Sequence, residues 1–117
     1  MDIVVTLPRQ VSWKIYEAEL DAVADWKGDL LYRVAQLPPV VPHDRCYLVW
    51  RGAVRGWMSI IAARRREGFH CAITGKWWPA GKYIIRSGPF HRIHPIPMRG
   101  FPGWWPWRGA PAEETRN

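Results

Sequence analysis

Two adjacent tryptophans, Trp77 and Trp78, stand between Lys76 and Lys82, and Arg86, Ser87, Phe90, His91 and Arg92 follow closely. Cations interleaved with aromatic rings are the residue types that hold a polyanion. Guanidinium and ammonium groups neutralise phosphates, and a flat ring stacks on a nucleobase for about 1–3 kcal/mol. Ser87, with the backbone amides around Gly88-Pro89, adds donors suited to a phosphate or a base edge. With Arg55 from an earlier strand, the candidate nucleic-acid set is Arg55, Lys76, Trp77, Trp78, Lys82, Arg86, Ser87, Phe90, His91 and Arg92. Arg55, Lys76, Lys82, Arg86 and Arg92 are expected to meet phosphates; Trp77, Trp78 and Phe90 are expected to offer stacking surface. Neighbours on a strand face opposite ways, so one of Trp77 and Trp78 is expected in the core and the other exposed.

Other chemistries fit the residues less well. His91 and His94 with Cys46 or Cys71 lack the paired spacing of a zinc site, so no metal or cofactor is expected. Lys27, Tyr32, Lys82 and Tyr83 are the available bases, but Glu67 is the single carboxylate in residues 45–108 and sits beside three arginines. Both cysteines lie in apolar runs that favour inert burial. No acid–base pair and no nucleophile with a base emerge, so no catalytic residue is assigned, and the residues favour binding over catalysis.

Charge divides the chain. Residues 1–44 hold four Lys/Arg against seven Asp/Glu, whereas residues 45–108 hold twelve against Glu67 alone; the formal net charge is +7. A segment so basic raises the local concentration of polyanions. Hydrophobic residues at 48% argue against disorder, and nine tryptophans are more than a core of this size can bury. No run reaches the roughly 18 apolar residues of a membrane span. The Met1-Asp2-Ile3 opening does not resemble a secretory signal, and two cysteines make no disulfide framework, so a cytoplasmic location is expected.

The elements that must position these residues are short. Ile3 to Leu7 reads as a strand stopped by Pro8. Ser12 is placed to cap a helix reaching about Lys27, with Trp13, Tyr16, Leu20 and Val23 at helical spacing and Gly28 at its C-cap. Leu30 to Leu37 is strand-rich. The runs at 46–50 and 54–61 predict a hairpin turning at Arg51-Gly52-Ala53, with Arg55, Trp57 and Ser59 sharing one side of the second strand. Arg64 to Gly68 reads as a basic turn, and Phe69 to Thr74 as a short strand. Pro79-Ala80-Gly81 turns the chain into a strand over 82–86, which Ser87-Gly88-Pro89 ends in a loop. Residues 93–97 are too proline-rich for an interior strand, and 101–107 are expected to pack irregularly across a barrel mouth. The sum is a mainly β domain with one or two helices (α+β), a small, partly open β-barrel over residues 1–108, with a frayed tail at 109–117.

The order strand, helix, DRCYLVWRGAVRGWMSI, FHCAITGKWWPAGKYIIRSGPF resembles small phage and prophage proteins of the PUA-like superfamily, of ASCH and EVE type. The likeness covers about residues 8–103 and is strongest from 44 to 101. It implies a pseudo-barrel that binds RNA or a modified nucleobase in a cleft, in the cytoplasm of a host cell. Some ASCH proteins are ribonucleases or amidohydrolases, but their Gly, Lys, Glu and Arg motif is altered here. Lys27 and Arg33 match in kind with one residue too many between them, and leucine replaces the glutamate. The reading is therefore a PUA-like phage protein that binds RNA, single-stranded or modified nucleic acid without catalysis. Two alternatives remain open: an inhibitor of a bacterial defence complex that occupies its protein surface or nucleic-acid channel, and a small ASCH-type enzyme.

Overall fold

β-Branched Ile3–Thr6 forms strand β1, one from the edge of a six-stranded sheet in the computed structural model, which describes residues 1–26, 29–70 and 75–109. Helix α1 (Trp13–Trp26) follows, its first turn closed by the Tyr16 N–H donating to the Ser12 carbonyl at 2.9 Å. Gly28, the expected C-cap, and the 110–117 part of the expected tail lie outside the described residues. The strands β2 (Asp29–Val34), β3 (Arg45–Trp50), β4 (Ala53–Arg66), β7 (Gly81–Pro97) and β8 (Trp104–Pro106) join β1 in one sheet of order β2-β7-β4-β3-β1-β8. The pairs are antiparallel except β1 with β3. The sheet curls into a half-barrel, so the fold is mainly β with one helix among the described residues. That helix is not long and apolar enough to cross a membrane.

The β3–β4 hairpin turns on Arg51 and Gly52, with φ of 45° and 78°. Two successive left-handed residues match the twist of the flanking strands. Arg51 is held there as its Nε and Nη2 donate to the Arg9 carbonyl at 3.3 and 3.1 Å.

Two strands run further than their sequences suggest. β4 continues through Arg64, Arg65 and Arg66, where a turn was expected, because β7 pairs with it to the end: Arg64 with Tyr83, Arg65 with Lys82, Arg66 with Gly81. β7 passes through Gly88-Pro89, where a loop was expected, and on through Pro95 and Pro97. Residues 88–90 have no register partner in β4, and beyond Ser87 the β2 edge of β7 is unpaired among the described residues. A proline there removes no ladder hydrogen bond on that edge. Register shifts at Val54/Gly56, Trp57/Ser59 and Ile60/Ala62 mark the bulges that bend the sheet. Between β4 and β7, β5 (Phe69–His70) pairs with β6 (Trp77–Trp78) as a separate two-stranded ribbon. The expected strand over 71–74 lies outside the described residues. Residues 104–106, expected to be irregular, extend the sheet edge as β8 against β1.

Two apolar layers flank the sheet. On the helix face, Leu20 with Trp13 and Tyr16 of α1 meets Ile3, Val5, Cys46, Leu48, Met58, Ile60, Ile84 and Phe90. On the other face Phe101, Met98 and Trp107 cover Val4, Tyr47, Val49 and Val54. Gly56 lets the two long strands close up: a Cβ there would strike the His91 carbonyl and the Phe90 ring.

Candidate nucleic-acid interface

Strand alternation and register together decide which side chains share the face away from α1. Phe90, Arg92, Ile84 and Arg86 of β7 point to the helix side, so His91, Ser87 and Ile93 point to the other. Trp57 opposes both Tyr47 and His91 in register, and Ser59 opposes Arg45 and Ser87. Further along the same face, Arg33, Arg64 and Arg66 surround Tyr83 and Gly81.

The centre of this face is a preassembled stack. The Arg45 guanidinium lies 4.1 Å from the Trp57 ring, approaching from β3, and His91 stacks on Trp57 at 3.9 Å from β7. Arg45 Nη1 also donates to the Tyr47 hydroxyl at 3.4 Å, and Tyr47 stacks on Trp107 at 4.1 Å. Between them opens a depression of about 420 Å³ whose walls include Arg45, Trp57, His94 and Trp107, over a floor of Ile93 and Ile96. Among the described residues no carboxylate lines it. Two described acids beside β3 have partners of their own. Asp2 accepts the Arg45 backbone N–H at 2.8 Å, and Asp44 accepts the N-terminal ammonium at 2.7 Å and the Val41 N–H at 2.8 Å. The ammonium bond above all, then the Val41 bond, lowers the Asp44 pKa, so it remains an anion bound to its own partners.

The residues expected from the sequence fall in several places. His91 is exposed on the open face, and Ser87, half-buried on it, has its hydroxyl donating to the Gly88 carbonyl at 3.3 Å. Lys76, Trp77 and Trp78 gather on the β5–β6 ribbon. Lys76 Nζ lies 4.8 Å over the Trp78 ring, and Trp78 packs between Phe69 and Tyr83. Trp77 is 53% exposed and Trp78 half-buried. Arg55, in a bulge, donates from Nε and Nη2 to the Trp50 carbonyl at 3.3 Å. Lys82 donates to the Ala35 carbonyl at 3.2 Å.

Three others face the helix. Arg92 binds Glu17 at 2.7 Å and Asp21 at 3.2 Å, and those carboxylates hold its guanidinium charged. Phe90 is buried against Trp13, with ring centroids 5.7 Å apart, and exposes no face for stacking. Arg86 is 1% exposed beneath α1. The three alternate with Ser87 and His91 along one strand, so they cannot join the same surface.

The nucleic-acid set expected from sequence does not include Arg45, Tyr47, Trp57, His94 and Trp107, nor Arg33, Arg64 and Arg66. Alternation put Trp57 and Ser59 on one side of their strand, but only cross-strand register sets Arg45 and His91 beside Trp57.

Comparison with family models, curated proteins and solved structures found no match to this chain.

Proposed function

We propose that the protein binds RNA or single-stranded nucleic acid, without catalysis, across the face that α1 leaves uncovered. The observation that carries this reading is the Arg45–Trp57–His91 stack beside a depression that no described carboxylate lines. A splayed base stacks on the outer face of His91 or Trp107, while Arg45 and, further along the sheet, Arg64, Arg33 and Arg66 meet successive phosphates. A single strand suits the site because stacking on His91 or Trp107 needs an unpaired base. The likeness to the PUA-like superfamily points the same way.

Fluorescence anisotropy with labelled RNA and single-stranded DNA tests the reading. Four arginines on phosphates predict a slope of log K against log salt of about −3, at roughly −0.7 per contact. Arg45→Ala and His91→Ala should each weaken binding about tenfold, and Arg45→Ala should flatten the slope by nearly one contact. No binding of either ligand at low salt would overturn the reading. Equal binding by both variants would move the site elsewhere.

A further inference from the structure

Arg86 presents a physical problem that the open face does not solve. It lies in the middle of the sheet, paired in register with Leu30 of β2 and Ile60 of β4, under helix α1. Its side chain is buried, yet among the described residues the one oxygen it donates to is the Tyr16 hydroxyl, a long 3.4 Å from Nη2, with the weakly accepting Cys46 sulfur as a further neighbour. Among the same residues, Nε and Nη1 are enclosed with no hydrogen-bond partner. The Tyr32 ring, 5.5 Å from the guanidinium carbon, offers its π-face. Buried charges in proteins are paired or hydrogen-bonded because the lost hydration must be replaced.

No anion in the surroundings supplies that replacement. Among the described residues no carboxylate reaches the group. The ionisable neighbours named with it are Tyr16, Tyr32 and Cys46. Burial pushes the Cys46 thiol and the Tyr32 phenol above their ordinary pKa values, so both are neutral at neutral pH. Burial works against the Arg86 charge, yet a guanidinium keeps its proton in proteins, so the cation stays. The Tyr32 hydroxyl is already spent on the Thr6 carbonyl at 3.0 Å. What remains is a fixed cation, two free donors, and a Tyr16 hydroxyl that accepts from Arg86 while its own proton is available.

We propose that Arg86 and the Tyr16 hydroxyl form an internal oxyanion site beneath α1, which takes a phosphate or carboxylate group. Guanidinium and phenol donors converging on one point are the pattern that recognises such groups. Tyr16 and Tyr32 are both half-buried and Tyr16 touches Arg86, so the proposal requires Tyr16 to swing aside for entry and to return onto the bound group. The Arg92 ion pairs to Glu17 and Asp21 hold α1 on the sheet meanwhile. The site is on the opposite side of the sheet from Arg45 and His91, so it does not depend on the nucleic-acid reading.

Thermal unfolding of the full chain in inorganic phosphate, in acetate and in chloride at equal ionic strength tests the proposal. A ligand that binds only the folded state raises Tm with the logarithm of its concentration, by about 5 °C at ten times its Kd. The rise is expected with phosphate, acetate or both over chloride, which also tells the two ligand chemistries apart. It should vanish in Arg86→Met and persist in Arg45→Ala, whose lesion is on the other face. If Arg86→Met does not fold, the wild-type chain still decides: its Arg86 Nε–H NMR resonance should shift along a saturable binding curve with the Kd that the Tm series gives. A wild-type Tm indifferent to both oxyanions, an equal rise in Arg86→Met, or an unmoved Nε–H resonance would overturn the proposal.

Discussion

Tryptophan and phenylalanine in this chain show how little residue type says about exposure. Trp77 is half in solvent on the β5–β6 ribbon, where its ring leans toward His70 with centroids 4.9 Å apart. Phe90, a smaller ring thirteen positions on, fills the layer under α1. Replacing each by alanine should separate them in denaturant unfolding. Trp77→Ala is expected to cost under about 1 kcal/mol, since little of its contact is buried. Phe90→Ala should cost about 3–5 kcal/mol through a cavity walled by Trp13 and the helix-face core. Equal losses would mean that the ribbon is as integral to the core as β7. Arg45 makes a related point: its charge is exposed, but its position is fixed by the Trp57 ring and the Tyr47 hydroxyl, so it meets a ligand with little ordering left to do.

At the scale of elements, the long β4–β7 pair is the frame, and its bulges decide what it presents. Against β3, where Val49 pairs with Val54 and Leu48 with Gly56, Arg55 is an extra residue, so Val54 packs on one face and Met58, in step with Gly56, on the other. A strict period of two would have kept all three together. Gly56 is where the strands come nearest, with backbone on one side and the Phe90 ring on the other. Gly56→Ala should therefore destabilise by about 1–3 kcal/mol, as overpacking does, and displace His91 from Trp57. Unfolding midpoints measure the first effect and the His91 ring-proton shifts the second. A variant with both unchanged would show that the strands have slack at this point.

Across the whole molecule, the sheet separates opposite charges. Glu17 and Asp21 on α1 face Arg92, whereas Arg33, Arg45, Arg64 and Arg66 lie on the other side. Such a division steers a polyanion to one face and repels it from the other. Arg92→Ala is expected to leave nucleic-acid affinity within about twofold, because its charge is already spent on α1. The half-exposed ion pairs it loses are worth at most about 1 kcal/mol in an unfolding measurement. A tenfold loss of affinity would mean that the ligand wraps onto the helix face.

Much of the local order follows from sequence alone. β-Branched runs place β1 and β3, helical spacing from Trp13 to Leu20 places α1, and Arg51-Gly52 fixes the hairpin, because each depends on residues within a few positions. The imbalance of charge between the two halves of the chain is likewise a property of sequence. What only the tertiary structure decided is where strands end and which side chains meet. Arg64 to Arg66 look like a turn until β7 supplies the hydrogen bonds that keep them extended, and Gly88-Pro89 looks like a loop until pairing on either side, at Ser87 and His91, carries the strand across it. Arg45, Trp57 and His91 lie on three different strands, and they become one stack only through cross-strand register, which bulges shift by single residues. The same alternation that brings His91 to the open face sends Arg86, Phe90 and Arg92 to the other. Pairing between residues far apart in sequence fixes that choice, and local composition carries no record of it.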